Sequence, residues 1–180
     1  VSSNLRVVST TQLLSSFVFD VERRTVSDGL VTFDRDVVTH RGAVAILAVD
    51  DEGRVGVISQ YRVTINRLLV EIPAGTIDPD ESDTLAVAQR ELREELGVIA
   101  TTWELLGRTL NSPGWTNQVM HVFLATGVTK GERSPIGPEE EQSTLDWWTV
   151  DDVRQYLRSS EPIDATTAFA FSQFLLRYER

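Results

Sequence analysis

Apolar and polar residues alternate in pieces over residues 11–40, as in "FVFDVERRTV" and "LVTFDRDVV", and a turn-type "SDG" separates the pieces. Period-two alternation around such a turn predicts an antiparallel sheet at this end of the chain. The pattern then changes to two β-rich runs, "GAVAILAV" and "RVGVISQYR", joined by "DDEG", where Gly53 supplies the positive φ of a tight turn. Both strands are predicted to be largely buried. "RLLVEIPAG" reads as a short strand ended by Pro73 and Gly75, and the loop "TIDPDESD" leads into a helix that starts near Thr84 with Asp83 as its N-cap. Leu85, Ala88, Leu92 and Leu96 recur at helical spacing as its buried stripe, and Gly97 ends it as a C-cap glycine does.

Further strands follow at "WELLGRTL", "QVMHVFLATGV" and "LDWWTV". Between the last two lies "GERSPIGPEEEQST", a polar loop long enough to carry function. Two Asp-capped helices, "DDVRQYLRSS" and "DATTAFAFSQFLLRYER", close the chain around "EPI". Strands, one helix, more strands and then helices predict an α+β sandwich rather than an alternating parallel fold. The expected organisation is an N-terminal β-sheet segment over 1–40 and a main domain over 41–180.

Composition narrows the function. The 180 residues carry 17 Lys and Arg against 27 Asp and Glu, a formal charge of -10, which argues against nucleic acid and anionic lipid as partners. No cysteine is present, so disulfides, thiolate nucleophiles and cysteine-ligated zinc are excluded. The apolar runs are too short to cross a bilayer and the N-terminus lacks a signal pattern, so a soluble cytoplasmic protein is expected. An acidic protein that handles phosphates needs metal cations.

The chemistry gathers in "RELREELGV", residues 90–98. On a helical wheel Glu91, Glu94 and Glu95 fall within about a 100° arc beside the leucine stripe. Each like-charged pair at such spacing costs roughly 0.2–0.5 kcal/mol. Three carboxylates at the rim of a packed scaffold suit a hard divalent cation, which offsets the repulsion. The competing reading is a solvated face with Arg90 and Glu94 as an i,i+4 pair.

Together with Gly75 and Glu81, this stretch resembles the Nudix box, G-x5-E-x7-R-E-U-x-E-E-x-G-U with U apolar. Arg90, Glu91, Leu92, Glu94, Glu95, Gly97 and Val98 all match, but eight residues rather than seven separate Glu81 from Arg90, so the first glutamate slot falls to Glu81 or to Ser82. The resemblance implies a Nudix-type α/β/α sandwich with a mixed sheet over 41–180. It implies metal ligation by Glu91, Glu94 and Glu95 with the Ala74 carbonyl, magnesium as the ion with manganese as substitute, and Arg90 orienting a carboxylate.

From about Thr25 to Thr167 the chain is similar to the ADP-ribose pyrophosphatase subfamily, through "GAVAIL", "QYR", "EIPAG", "SPG", an acidic loop before "DWW", and "IDATT". That likeness implies hydrolysis of ADP-ribose to AMP and ribose 5-phosphate. It also implies a homodimer that exchanges the N-terminal sheet, and substrate contacts at Arg62, Glu71 and Pro113, the last sixteen residues after Gly97. A catalytic base is implied on the acidic loop, at Glu141 with Glu140 beside it. "WTNQ" after "SPG", with Asn117 and Gln118, leaves the sugar end open, and Trp115 reads as packing. His40 and His121 read as structural histidines. Other nucleoside diphosphate sugars or dinucleotides stand as alternative substrates, and a non-catalytic nucleotide-sensing module as an alternative role. An isomerase relative would need a cysteine, and an mRNA-decapping role a basic stripe; this chain has neither.

Overall fold

The computed structural model describes residues 4–178. Strands β1 (Arg6–Ser15), β2 (Phe19–Ser27) and β3 (Thr32–His40) form an antiparallel sheet in that order. It begins nearer the N-terminus than the alternation predicts. The turn between β2 and β3 falls at "SDG": Asp28 Oδ1 accepts the Leu30 and Val31 N–H groups at 2.9 Å, and Gly29 has a φ of 92°. Every residue of β1 is exposed, so this sheet has no core of its own.

The body holds two more sheets. Strand β4 (Ala43–Ala48) lies between β7 (Ala74–Thr76) and β9 (Val119–Lys130), and β8 (Val98–Leu110) pairs with β9 on the far side. The β4–β9 pair is parallel and the others are antiparallel, which makes this sheet mixed. The second sheet runs β10 (Thr144–Trp148), β5 (Val55–Arg62), β6 (Arg67–Glu71). Side chains alternate across β4 with period two. Ala43, Ala45 and Leu47 pack on one face with Val153 of α3 (Val150–Leu157) and Ala170, Phe171 and Phe174 of α4 (Ala165–Tyr178). Val44, Ile46 and Ala48 pack on the other with Val87 and Ala88 of α1 (Thr84–Glu91) and with Leu92 and Leu96. Helices on both faces of a mixed sheet make the expected α/β/α sandwich.

Local signals hold at most helix ends. Asp83 caps α1 by accepting the Leu85 N–H at 2.9 Å, and Gly97 ends the helical stretch in the left-handed region with φ 70°. Strand β8 starts directly after it, at Val98 and not at Trp103. The cap of α3 differs from the sequence reading: Thr149 is the N-cap and Asp152 closes a capping box from inside the helix. Among the described residues no helix is long and apolar enough to cross a membrane.

Strand β3 joins the N-terminal sheet to the body. Val38 N–H donates to the Trp115 carbonyl at 2.8 Å, and His40 N–H to Asn117 Oδ1 at 2.8 Å. Asn117 therefore holds backbone.

Candidate active site

Strand β7, helix α1 and the loop after β9 meet at one open cleft of about 650 Å³. Helix α1 does not end at Glu91 but widens into a π turn, Leu92–Leu96. Such wide turns are uncommon and recur at functional sites. Glu91 and Glu95 are only 7% and 3% exposed, so they are buried and not at the rim as the helical wheel places them. Glycine makes the room: a Cβ on Gly75 would overlap the Glu91 carboxyl.

Burial pushes the Glu91 pKa up to about 7, with Arg90 opposing and Glu94 adding to the rise. Glu95 lies well above the usual carboxylate range, again from burial first, although its Oε2 accepts the Ala74 N–H at 2.7 Å. Ala74 thus meets Glu95 through its amide N–H, and it lines the same cleft as the three box glutamates. Arg90 ties the acids together. Its Nε and Nη2 donate to the two oxygens of Glu81 at 3.1 and 3.2 Å, and its Nη1 lies 2.8 Å from both Glu91 Oε1 and Glu94 Oε2. Burial works against its charge, yet the three carboxylates outweigh that and raise its pKa.

Glu81, and not exposed Ser82, is the residue that reaches Arg90. Arg90 and the Asp78 N–H, which donates to Glu81 Oε2 at 2.9 Å, hold its carboxyl below the ordinary range. The Glu81 N–H in turn donates to the Asp78 carbonyl at 3.1 Å, closing a turn in the loop before α1.

Hard carboxylate oxygens, two of them buried, beside an open cleft are donors that fit a divalent cation. Among the described residues no three acidic or histidine side chains are grouped as a finished metal cage. Arg90 Nη1 stands between Glu91 and Glu94.

The facing wall comes from β5 and β6. Glu71, 7% exposed, accepts Gln60 Nε2 at 2.8 Å and Arg62 Nε and Nη2 at 3.0 and 2.6 Å. Gln60 and Arg62 line the cleft while Glu71 buttresses them from behind. The third wall is the acidic loop, which contains a single helical turn, α2 (Pro138–Glu141). Glu139 and Glu140 line the cleft and Glu141 is exposed outside it, because successive helical residues point 100° apart. Of the two glutamates singled out on this loop from the sequence, Glu140 is therefore the one that lines the cleft, and its Oε2 accepts the Ile136 N–H at 2.6 Å.

Pro113 and Trp115 are exposed and, like His40 and His121, do not line the cleft. Phe17 and Val18, from the turn between β1 and β2, complete the cleft wall together with Ile136. No local pattern marks them, since they reach the cleft only through the placement of the N-terminal sheet.

Residues 39–168 match the NUDIX domain family. The chain is 34% identical over 165 residues to an ADP-ribose pyrophosphatase of Mycobacterium tuberculosis, covering 90% of this chain and 79% of that protein. It is 34% identical over 174 residues to an ADP-ribose pyrophosphatase of Bacillus subtilis, covering 96% and 93%. Its fold is that of a crystallised ADP compounds hydrolase, with a TM-score of 0.77 and 22% identity over 96% of this chain and 95% of the other.

Proposed function

Because the chain belongs to the Nudix hydrolase family, we propose that it cleaves the pyrophosphate of a nucleoside diphosphate sugar, with ADP-ribose as the preferred substrate, giving AMP and ribose 5-phosphate. The observation that carries this reading is the division of one cleft: box carboxylates on one wall, Arg62 opposite, and the α2 glutamates above them. Glu91, Glu94 and Glu95, with Ala74 beside them, would hold magnesium, or manganese in its place. The bound ion supplies neutralisation of phosphate charge and activation of a water.

The chain's own residues do the rest. Arg90 fixes Glu94 and Glu91 by its shared Nη1. Arg62, locked to Glu71 through Nε and Nη2, offers Nη1 to a phosphate oxygen. Glu140 takes the proton of the attacking water, with Glu139 second to it. Two copies associate through the N-terminal sheet, whose exposed Val7, Val8, Leu13 and Leu14 need a cover.

The test is a panel of ADP-ribose, ADP-glucose, GDP-mannose, FAD and dinucleoside polyphosphates with magnesium, with products identified. AMP and ribose 5-phosphate from ADP-ribose, formed faster than any other product, are expected. Faster turnover of another panel member reassigns the substrate, and no turnover of any removes the enzymatic reading.

A further inference from the structure

The segment after β9 runs flush against the C-terminal end of the π turn. Gly131 N–H donates to the Gly97 carbonyl at 2.8 Å, Ser134 N–H to the Glu94 carbonyl at 3.3 Å, and Arg133 Nε to the Glu95 carbonyl at 2.7 Å. Three carbonyls at the end of the helical stretch, which the helix itself leaves without donors, thus find them in four consecutive residues. The approach depends on Gly97: a Cβ there would come within 3.0 Å of the Arg133 Cβ. Arg133 also brings positive charge to a helix C-terminus, where the macrodipole favours it.

The same guanidinium reaches the acidic loop. Arg133 Nη2 donates to the Glu140 carbonyl at 2.7 Å and to Ser143 Oγ at 2.7 Å, and Ser143 Oγ donates to the Glu140 carbonyl at 2.8 Å. One planar fork therefore touches the turn that carries Glu94 and Glu95 on one side and the residue proposed as base on the other. Its acceptors here are backbone carbonyls and a hydroxyl, so the contacts fix geometry without neutralising a carboxylate. A lysine ammonium is a compact point charge on a flexible stem and cannot span both partners as the fork does.

We propose that Arg133 is a positioning residue that sets Glu139 and Glu140 against the box carboxylates. This rests on the function proposed above, since it gives the loop a catalytic task. A residue that merely capped the helix would lower stability without separating turnover from binding.

Hydrogen exchange on the full chain tests the tether without reference to activity. Arg133→Met should speed exchange over residues 136–143 and leave residues 84–92 unchanged; no change, or an equal rise in both, overturns the proposal. In the magnesium-dependent assay kcat should fall about 10- to 100-fold, the scale of a misplaced reacting group. KM and the magnesium Kd should move by less than about twofold, and Arg133→Lys should not restore turnover. Glu140→Gln added to Arg133→Met should cost little beyond Glu140→Gln alone, because one residue acts through the other. Losses that multiply overturn the proposal. A wild-type chain that hydrolyses no substrate would instead remove the proposed function, and exchange over 136–143 would then decide the tether alone.

Discussion

Glu95 is a carboxylate held where water barely reaches, and that placement has opposite consequences for folding and for function. Its burial raises the cost of the charged form, while the Ala74 N–H is the direct donor that favours it. Glu95→Gln keeps an acceptor for Ala74 and removes the buried charge. The metal-free variant should be more stable by about 1–2 kcal/mol, a rise of about 2–8 °C in Tm, and under the proposed ligand role it should lose both hydrolysis and the Tm increase expected of the wild type with magnesium. Differential scanning calorimetry with and without magnesium checks this; a magnesium response equal to the wild type's would remove Glu95 from the ligand set. Arg90 behaves in the reverse sense, since Arg90→Met strands Glu81, Glu91 and Glu94 together. Stability should drop by about 1–3 kcal/mol in urea titration, and a variant as stable as the wild type would show that the pairing contributes nothing net.

At the scale of elements, the single turn α2 decides which glutamates line the cleft. Glu140→Gln should reduce kcat by about 100-fold or more, Glu139→Gln less, and Glu141→Gln hardly at all. Equal small effects at all three would place the base elsewhere. The box helix is legible in the sequence because its signals are local: Asp83 at the cap, the leucine spacing, Gly97 at the end. The phase of α2 is not, since an error of one residue in a four-residue helix turns every side chain by 100°. The π turn escapes for a related reason, as a regular wheel puts Glu91 and Glu95 at the border of the core and the widened turn pulls them under. The junction of β3 with β4 carries its own pH dependence. His40 Nδ1 accepts the Gly42 N–H at 2.9 Å, and burial, then Arg41, lowers its pKa below the ordinary value of 6.5. The folded chain then binds fewer protons than the unfolded chain below that value. The stability His40 contributes is present above pH 6.5 and is lost as pH falls through the depressed folded value. The buried Glu91 and Glu95, whose raised pKa values act in the opposite sense over this range, are common to both proteins, so the readout is a difference: the urea midpoint of the wild type should fall relative to that of His40→Gln between pH 7.5 and 5.5, and a constant difference would remove His40 as the source.

For the whole molecule, the question is what covers a three-stranded sheet that one chain leaves open. Phe17 is 84% exposed at its tip, and no residue of β1 is buried. Light scattering should report a particle of twice the 20.1 kDa chain mass, and Leu14→Asp with Val7→Asp should halve it; a fully active wild-type monomer at micromolar concentration would rule out association as part of the function. Phe17 and Val18 lie in the turn that joins β1 to β2 of that sheet and also line the cleft. In the dimer proposed above, occupancy of the cleft and self-association would share residues, and two equilibria coupled through shared residues are thermodynamically linked. A slowly hydrolysed nucleotide sugar should tighten subunit association by the same factor by which association tightens its binding, a reciprocity that sedimentation at graded ligand concentration reads directly. The protein's concentration would then act as an effector of its own affinity for substrate.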